Sequence, residues 1–143
     1  MSELQKTLDW FKQAIPGPSQ DHAIIQIGCH IEEVAEMFES FGANQLADNL
    51  HGTANQFKER EIPARYVTRS ANKEELLDSL VDQIVTATGV AHMMGFDLLG
   101  ALAEVNRSNF SKFEDGKPVF DDNGKIAKGK DYTPPNLAGM IGK

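Results

Sequence analysis

Two stretches of this 143-residue chain put carboxylates at helical spacing. In the first, His30-Ile-Glu-Glu-Val-Ala-Glu36, a rotation of about 100° per residue groups Gln26, His30, Glu33 and Glu36 on one side. The other side carries an apolar stripe of Ile24, Ile27, Ile31, Val34 and Phe38. Ile25, Cys29 and Met37 fall among the polar residues, so Glu33 and Glu36 are expected to be partly enclosed. In the second stretch, Glu75, Asp78 and Asp82 share an arc of about 60°, beside Leu76, Leu77, Leu80, Val81 and Ile84. Stacked like charges repel by a few tenths of a kcal/mol per pair, and a bound divalent cation removes that cost. Carboxylates without paired His or Cys select Mg²⁺ or Mn²⁺ rather than Zn²⁺. The plainer alternative is two ordinary solvated faces.

Chemistry of the opposite sign is suggested further along. An inward stripe of Leu98, Leu102 and Val105 continues as Asn106, Asn109 and Lys112, where a plain bundle would use Leu or Ile. Buried amides and a buried ammonium need partners, and a polyphosphate on the far side of the metal would supply them. Asn caps and a snorkelling Lys are the structural alternative. Lys112, Lys117, Lys125, Lys128 and Lys130 are five of the fourteen basic residues. Thr86 and Gly89, one turn beyond the second acidic strip, are small enough to leave room for a ligand. There is no Gly-x-x-x-x-Gly-Lys loop, no Gly-x-Ser-x-Gly elbow and no Gly-x-Gly-x-x-Gly fingerprint. Glu-x-x-His, which a di-iron bundle needs twice, is also missing. Phosphate binding must therefore come from metal and side chains.

The elements that would position these residues are helical. Leu4, Leu8, Phe11 and Ile15 form a stripe that ends at Pro16-Gly17-Pro18. The helix after it is capped by Ser19 or Asp21 and stops at Gly42, and a weaker polar helix runs from Asn44 to about Arg60. Ile62-Pro63 breaks it, a long helix starts near Asn72 and ends at Gly95, and the last begins at Asp97 and runs to about Phe113. Beyond lies a small hairpin around Asp122-Asn-Gly, then an extended Pro134-Pro135 arm. The fold class is all-α, a four-to-five-helix bundle with a helical core over about 1–113 and a C-terminal hairpin and arm over about 114–143, in a single domain. A net charge of −7 argues against a nucleic-acid partner. The longest uncharged stretch, Gln83 to Phe96, is too short for a membrane span. The single Cys29 and the start Met-Ser-Glu-Leu-Gln-Lys make the cytoplasm the expected compartment.

His30-Ile-Glu-Glu-Val-Ala-Glu36, the acidic helix, Gly95-Phe-Asp97, Glu104-Val-Asn-Arg-Ser-Asn-Phe-Ser-Lys112 and a Gly-Lys…Tyr-x-x-Pro tail occur in that order. Over about residues 24–135 they resemble the MazG-like branch of the all-α nucleoside triphosphate pyrophosphohydrolases. The resemblance implies a homodimer or homotetramer that hydrolyses a nucleoside triphosphate between the α and β phosphates with Mg²⁺. By position, Glu33 and Glu36 match the family's metal-binding pair, and Asp82 matches the aspartate of its Glu-x-x-Asp motif. The glutamate expected three residues earlier is Ser79, whereas Glu75-x-x-Asp78 reproduces the motif one turn before it. Spacing to Gly95-Phe-Asp97 favours Asp82 as the anchor, with Asp78 standing in; Glu75 is the alternative.

Metal ligands are then Glu33, Glu36, Asp78 and Asp82, and the catalytic carboxylates are Glu32, Glu33 and Glu36, with Glu32 or Glu36 as general base. Asn106, Asn109, Lys112, Lys128, Lys130 and Tyr132 would bind the phosphates and offset charge on the leaving pyrophosphate. Gln26 and His30 face the base; Trp10, off the first helix's stripe, is either a further base contact or a core or rim residue. A phosphoribosyl-ATP pyrophosphohydrolase and a non-catalytic helical interaction module are the competing readings.

Overall fold

Helix boundaries fall where the sequence can satisfy the backbone groups that a helix end leaves unpaired. In the computed structural model, which describes residues 1–69, 71–122 and 124–142, the elements are α1 (Glu3–Ala14), α2 (Gln20–Ser40), α3 (Asn44–Lys58), α4 (Arg65–Thr68), α5 (Lys73–Met93) and α6 (Leu98–Phe110). A short 3₁₀ turn, Ala138–Met140, follows. The Ser19 hydroxyl accepts the His22 N–H at 3.2 Å while Nδ1 of His22 accepts the Ser19 N–H at 2.9 Å, a capping box with histidine in place of glutamate. Asn72 Oδ1 accepts from the Glu75 N–H and Asp97 Oδ1 from the Gly100 N–H, as the sequence anticipates. The last helix ends at Phe110 rather than Phe113, because Lys112 and Phe113 turn their N–H groups to carbonyls three residues back and tighten the chain out of the α-helix. The four-residue α4 is not signalled by any apolar period.

The chain divides into two compact units, Gly17–Leu76 and Met1–Pro16 with Leu77–Lys143. In the first, α2 packs along α3. Ile24, Gly28 and Ala35 of α2 and Ala47 and Ala54 of α3 are the buried residues, so small side chains set the contact. Gly28 is required there: a Cβ would lie 2.7 Å from the Ala54 carbonyl oxygen and 2.9 Å from the Lys58 nitrogen. Ile27, Ile31, Val34 and Phe38, the expected stripe, are half-buried around this seam.

In the other unit α1 packs on α6, but not through Leu4 and Leu8, which are 54% and 49% exposed. The face used is rotated by one residue, to Glu3, Thr7, Trp10 and Ala14. The cause is the polar surface that α6 presents: Asn106 is buried, and Glu3 and Thr7 satisfy its amide. Trp10, Ala14 and Phe113 form the core, with Phe11, Ile15, Phe110 and Ile126 against them. Trp10 stacks on Phe113 with ring centroids 5.6 Å apart and planes 5° from parallel.

After α6 the tightest reversal is Glu114–Lys117, where Asp115 and Gly116 both take positive φ (51° and 74°) and two backbone hydrogen bonds close the turn. Asp-Gly is the sequence signal for that geometry, and it precedes the expected Asn-Gly hairpin. At the latter, Asn123 lies outside the described residues; Asp121 and Lys125 pair at 2.9 Å and Phe120 bridges Ile126. Both reversals are isolated bridges rather than strands. No single helix among the described residues is long and apolar enough to cross a membrane.

Candidate functional site

The backbone around Gly129 returns to the C-terminal end of α6. The Gly129 N–H donates to the Lys112 carbonyl at 3.0 Å, bringing Lys128 and Lys130 to the residue that ends the Asn-x-x-Asn-x-x-Lys segment. A Cβ at Gly129 would stand 2.5 Å from that carbonyl oxygen, so only glycine permits the approach. Lys130 is tied to Glu114 through its backbone N–H, at 2.9 Å. The Lys128 ammonium sits 4.9 Å from the centroid of the Tyr132 ring, and the Lys112 ammonium 5.8 Å from that of Trp10. The backbone of residues 128–130 therefore runs beside Lys112, sixteen or more residues earlier in the chain. Asn109 is half-buried, and its carbonyl accepts the Trp10 indole N–H at 2.8 Å.

Two expectations are corrected here. Asn106 does not need a phosphate: its carbonyl oxygen accepts the Thr7 hydroxyl at 2.8 Å, and its amide donates to the Glu3 carbonyl at 2.9 Å and the Glu3 carboxylate at 3.0 Å. The Lys6 ammonium first, and Asn106 second, hold the Glu3 carboxyl below its ordinary range. Trp10 is a core residue, 7% exposed, with its ring committed to Phe113 and its N–H to α6. No face of it is left for a base.

A polar strip on α6 docks the chain that follows. Arg107 donates from Nε and a terminal nitrogen to both Glu104 oxygens, each at 2.8 Å, and also to the Thr133 hydroxyl at 2.6 Å and the Pro134 carbonyl at 3.1 Å. Glu104 accepts in addition the Asn136 N–H at 2.9 Å. Ser108 donates to the Thr133 carbonyl at 2.8 Å, and Ser111 accepts the Thr133 N–H at 3.0 Å. Hydrogen bonds from Arg107 first, and the Asn136 N–H second, pull the Glu104 carboxyl down from about 4.5 to about 2, and the carboxylate in turn raises the Arg107 pKa. A depressed carboxylate of this kind contributes stability that is complete above its ordinary value and lost as the pH falls through about 2. The sequence assigns these four residues no role of their own within the Glu104–Lys112 segment, although polar side chains at 104, 107, 108 and 111 recur at three- and four-residue spacing.

Glu33 and Glu36 on α2 belong, with Glu75 at the start of α5, to the Gly17–Leu76 unit, and Asp78 and Asp82 on α5 belong to the other. Glu32 is engaged by Lys58 across the α2–α3 seam, with Nζ 2.8 Å from its Oε2. Gln26, His30, Glu33 and Glu36 are exposed on α2, so the enclosure expected for Glu33 and Glu36 is not found. Glu75, Asp78 and Asp82 are exposed on α5, and the Thr86 hydroxyl bonds back to the Asp82 carbonyl at 2.9 Å. The donor chemistry suits a hard divalent cation. Among the described residues, however, no three His, Cys, Asp or Glu side chains are grouped as a ligand set. A single strip is thus not a metal site by itself.

No family model matches the chain, and neither a curated protein nor a solved structure matches it significantly.

Proposed function

We propose that the protein is a Mg²⁺-dependent nucleoside triphosphate pyrophosphohydrolase of the all-α, MazG-like type, which releases the nucleoside monophosphate and pyrophosphate. The observation that carries this reading is the Gly129–Lys112 backbone contact at the end of α6, which sets the segment of Lys128, Lys130 and Tyr132 beside Lys112, with the Glu114 carboxylate accepting the Lys130 N–H. Lysine ammoniums there can take the oxygens of a polyphosphate and offset charge on its departing half. Asn109 is proposed to offer its amide to the same phosphates, whereas Asn106 and Trp10 serve the α1–α6 contact. By the resemblance, Glu33 with Glu36, and Asp78 with Asp82, are proposed as pairs of Mg²⁺ or Mn²⁺ ligands, and the ion when bound would supply neutralisation of the phosphate charge. Glu36 is the better general base, since Glu32 is committed to Lys58. Gln26 and His30 remain the base-facing pair.

The reaction is tested by incubating each common ribo- and deoxyribonucleoside triphosphate, and phosphoribosyl-ATP, with enzyme and Mg²⁺ in isotopically labelled water. Equal amounts of monophosphate and pyrophosphate, with the label on the monophosphate, are expected; orthophosphate released through a diphosphate would refute the assignment. Turnover of phosphoribosyl-ATP alone would move the substrate to that related class.

A homodimer or homotetramer in the cytoplasm belongs to the same reading. Its support is α5, whose Leu77, Val85 and Met93 are 63%, 60% and 83% exposed and which no helix of its own unit covers among the described residues. Light scattering should give at least twice the 15.7 kDa chain mass; a monomer at micromolar concentration would remove this part. The same face favours the second reading, a helical interaction module without catalysis, which a complete lack of turnover in the substrate panel would select.

A further inference from the structure

We propose that Arg107 and Glu104 are positioning residues for the phosphate side of the site: their ion pair fixes the arm, and the fixed arm holds Lys128, Lys130 and Tyr132 beside Lys112. The inference rests on the hydrolase reading above. Residues 130–132 are bracketed between two anchors. On one side Gly129 is pinned to the Lys112 carbonyl; on the other Thr133 is gripped through its N–H, its carbonyl and its hydroxyl by Ser111, Ser108 and Arg107. Arg107 extends the second anchor to the Pro134 carbonyl, and Glu104 extends it to the Asn136 N–H. Proline restricts the backbone of the two residues between.

An arginine in the middle of a phosphate-binding segment would ordinarily be assigned to the phosphate. Here its guanidinium is already committed, with all three nitrogens donating to Glu104, Thr133 or Pro134. Its place is thus behind the lysines rather than among them. Arg107 is 47% and Glu104 19% exposed, and beyond each other their side chains bond residues 133–136, so loss of the pair should free the arm rather than unfold the helices.

Arg107→Met, Arg107→Lys and Glu104→Gln test this in the full chain. Three readouts apply: tryptic cleavage after Lys128 and Lys130, steady-state hydrolysis of dATP with Mg²⁺, and calorimetric titration with inorganic pyrophosphate. In Arg107→Met, cleavage in the arm should accelerate at least about tenfold. KM for dATP should rise about tenfold and kcat should fall by a smaller factor, because the lysines both bind the polyphosphate and offset charge on its departing half. Pyrophosphate affinity should fall in parallel, and Arg107→Lys should recover part of both effects. Should Arg107→Met unfold, Thr133→Val, which removes only the hydroxyl gripped by Arg107, takes its place with a smaller shift in the same direction. Unchanged proteolysis and KM, or a fall in kcat at constant KM, would overturn the proposal. If wild-type protein hydrolyses no triphosphate while Arg107→Met still frees the arm and weakens pyrophosphate binding, the hydrolase reading fails and the positioning of a phosphate-binding arm stands.

Discussion

Asp82→Asn should lower kcat for triphosphate hydrolysis by at least about a hundredfold while leaving the melting temperature unchanged or slightly raised. The substitution deletes one negative charge at almost constant volume, on an exposed helical face where Glu75 and Asp78 repel it. A fold that needs no carboxylate there loses nothing, whereas a reaction that needs a cation there loses its ligand. Glu33→Gln and Glu36→Gln should behave alike, and chelation by EDTA should abolish turnover. The third helical position is decided by comparing Asp78→Asn with Glu75→Gln, of which only one should match Asp82→Asn. Full activity in both Asp82→Asn and Glu36→Gln would return the two strips to ordinary solvated faces.

Trp10→Ala should be the most destabilising single change in the helical scaffold, at about 3–5 kcal/mol. The indole fills the space between α1 and the end of α6, stacks on Phe113 and donates its N–H to the Asn109 carbonyl. Trp10→Phe should cost about 1 kcal/mol through that lost hydrogen bond, with the stacked ring largely replaced. Thermal unfolding of the two variants separates the core role from a substrate role: a base-stacking tryptophan would raise KM in both and move neither melting curve.

The helices themselves were legible because their ends carry chemistry. Ser19, Asn72 and Asp97 each accept the N–H that their position predicts, and the apolar period within the helices they cap is helical. What periodicity could not give was the azimuth of α1. Leu4, Leu8, Phe11 and Ile15 make the more hydrophobic stripe, and the choice of the neighbouring face depends on a buried amide on α6 a hundred residues away. The same amide explains why Asn106 misled: a polar residue on an inward stripe signals a partner, but not whether that partner is ligand or protein. The lysine-rich arm was recoverable from composition, since the tail concentrates basic residues. Its anchor was not, because Glu104 and Arg107 read as an ordinary i, i+3 pair until Thr133, Pro134 and Asn136 are seen lying on them.

The unit that holds the lysines is built from two distant pieces of chain, and this orders its assembly in time. Thr7 and Asn106 are 99 residues apart, and Glu3 and Asn106 are 103 apart. Contacts of that separation form late, because the entropy of closing so long a loop opposes them until many are made together. The α2–α3 pair, joined by a few residues, has no such delay. During synthesis α1 must therefore wait, with Trp10 unstacked, until Phe113 has left the ribosome, and the fluorescence of this single tryptophan reports the closing event rather than the first helix to form.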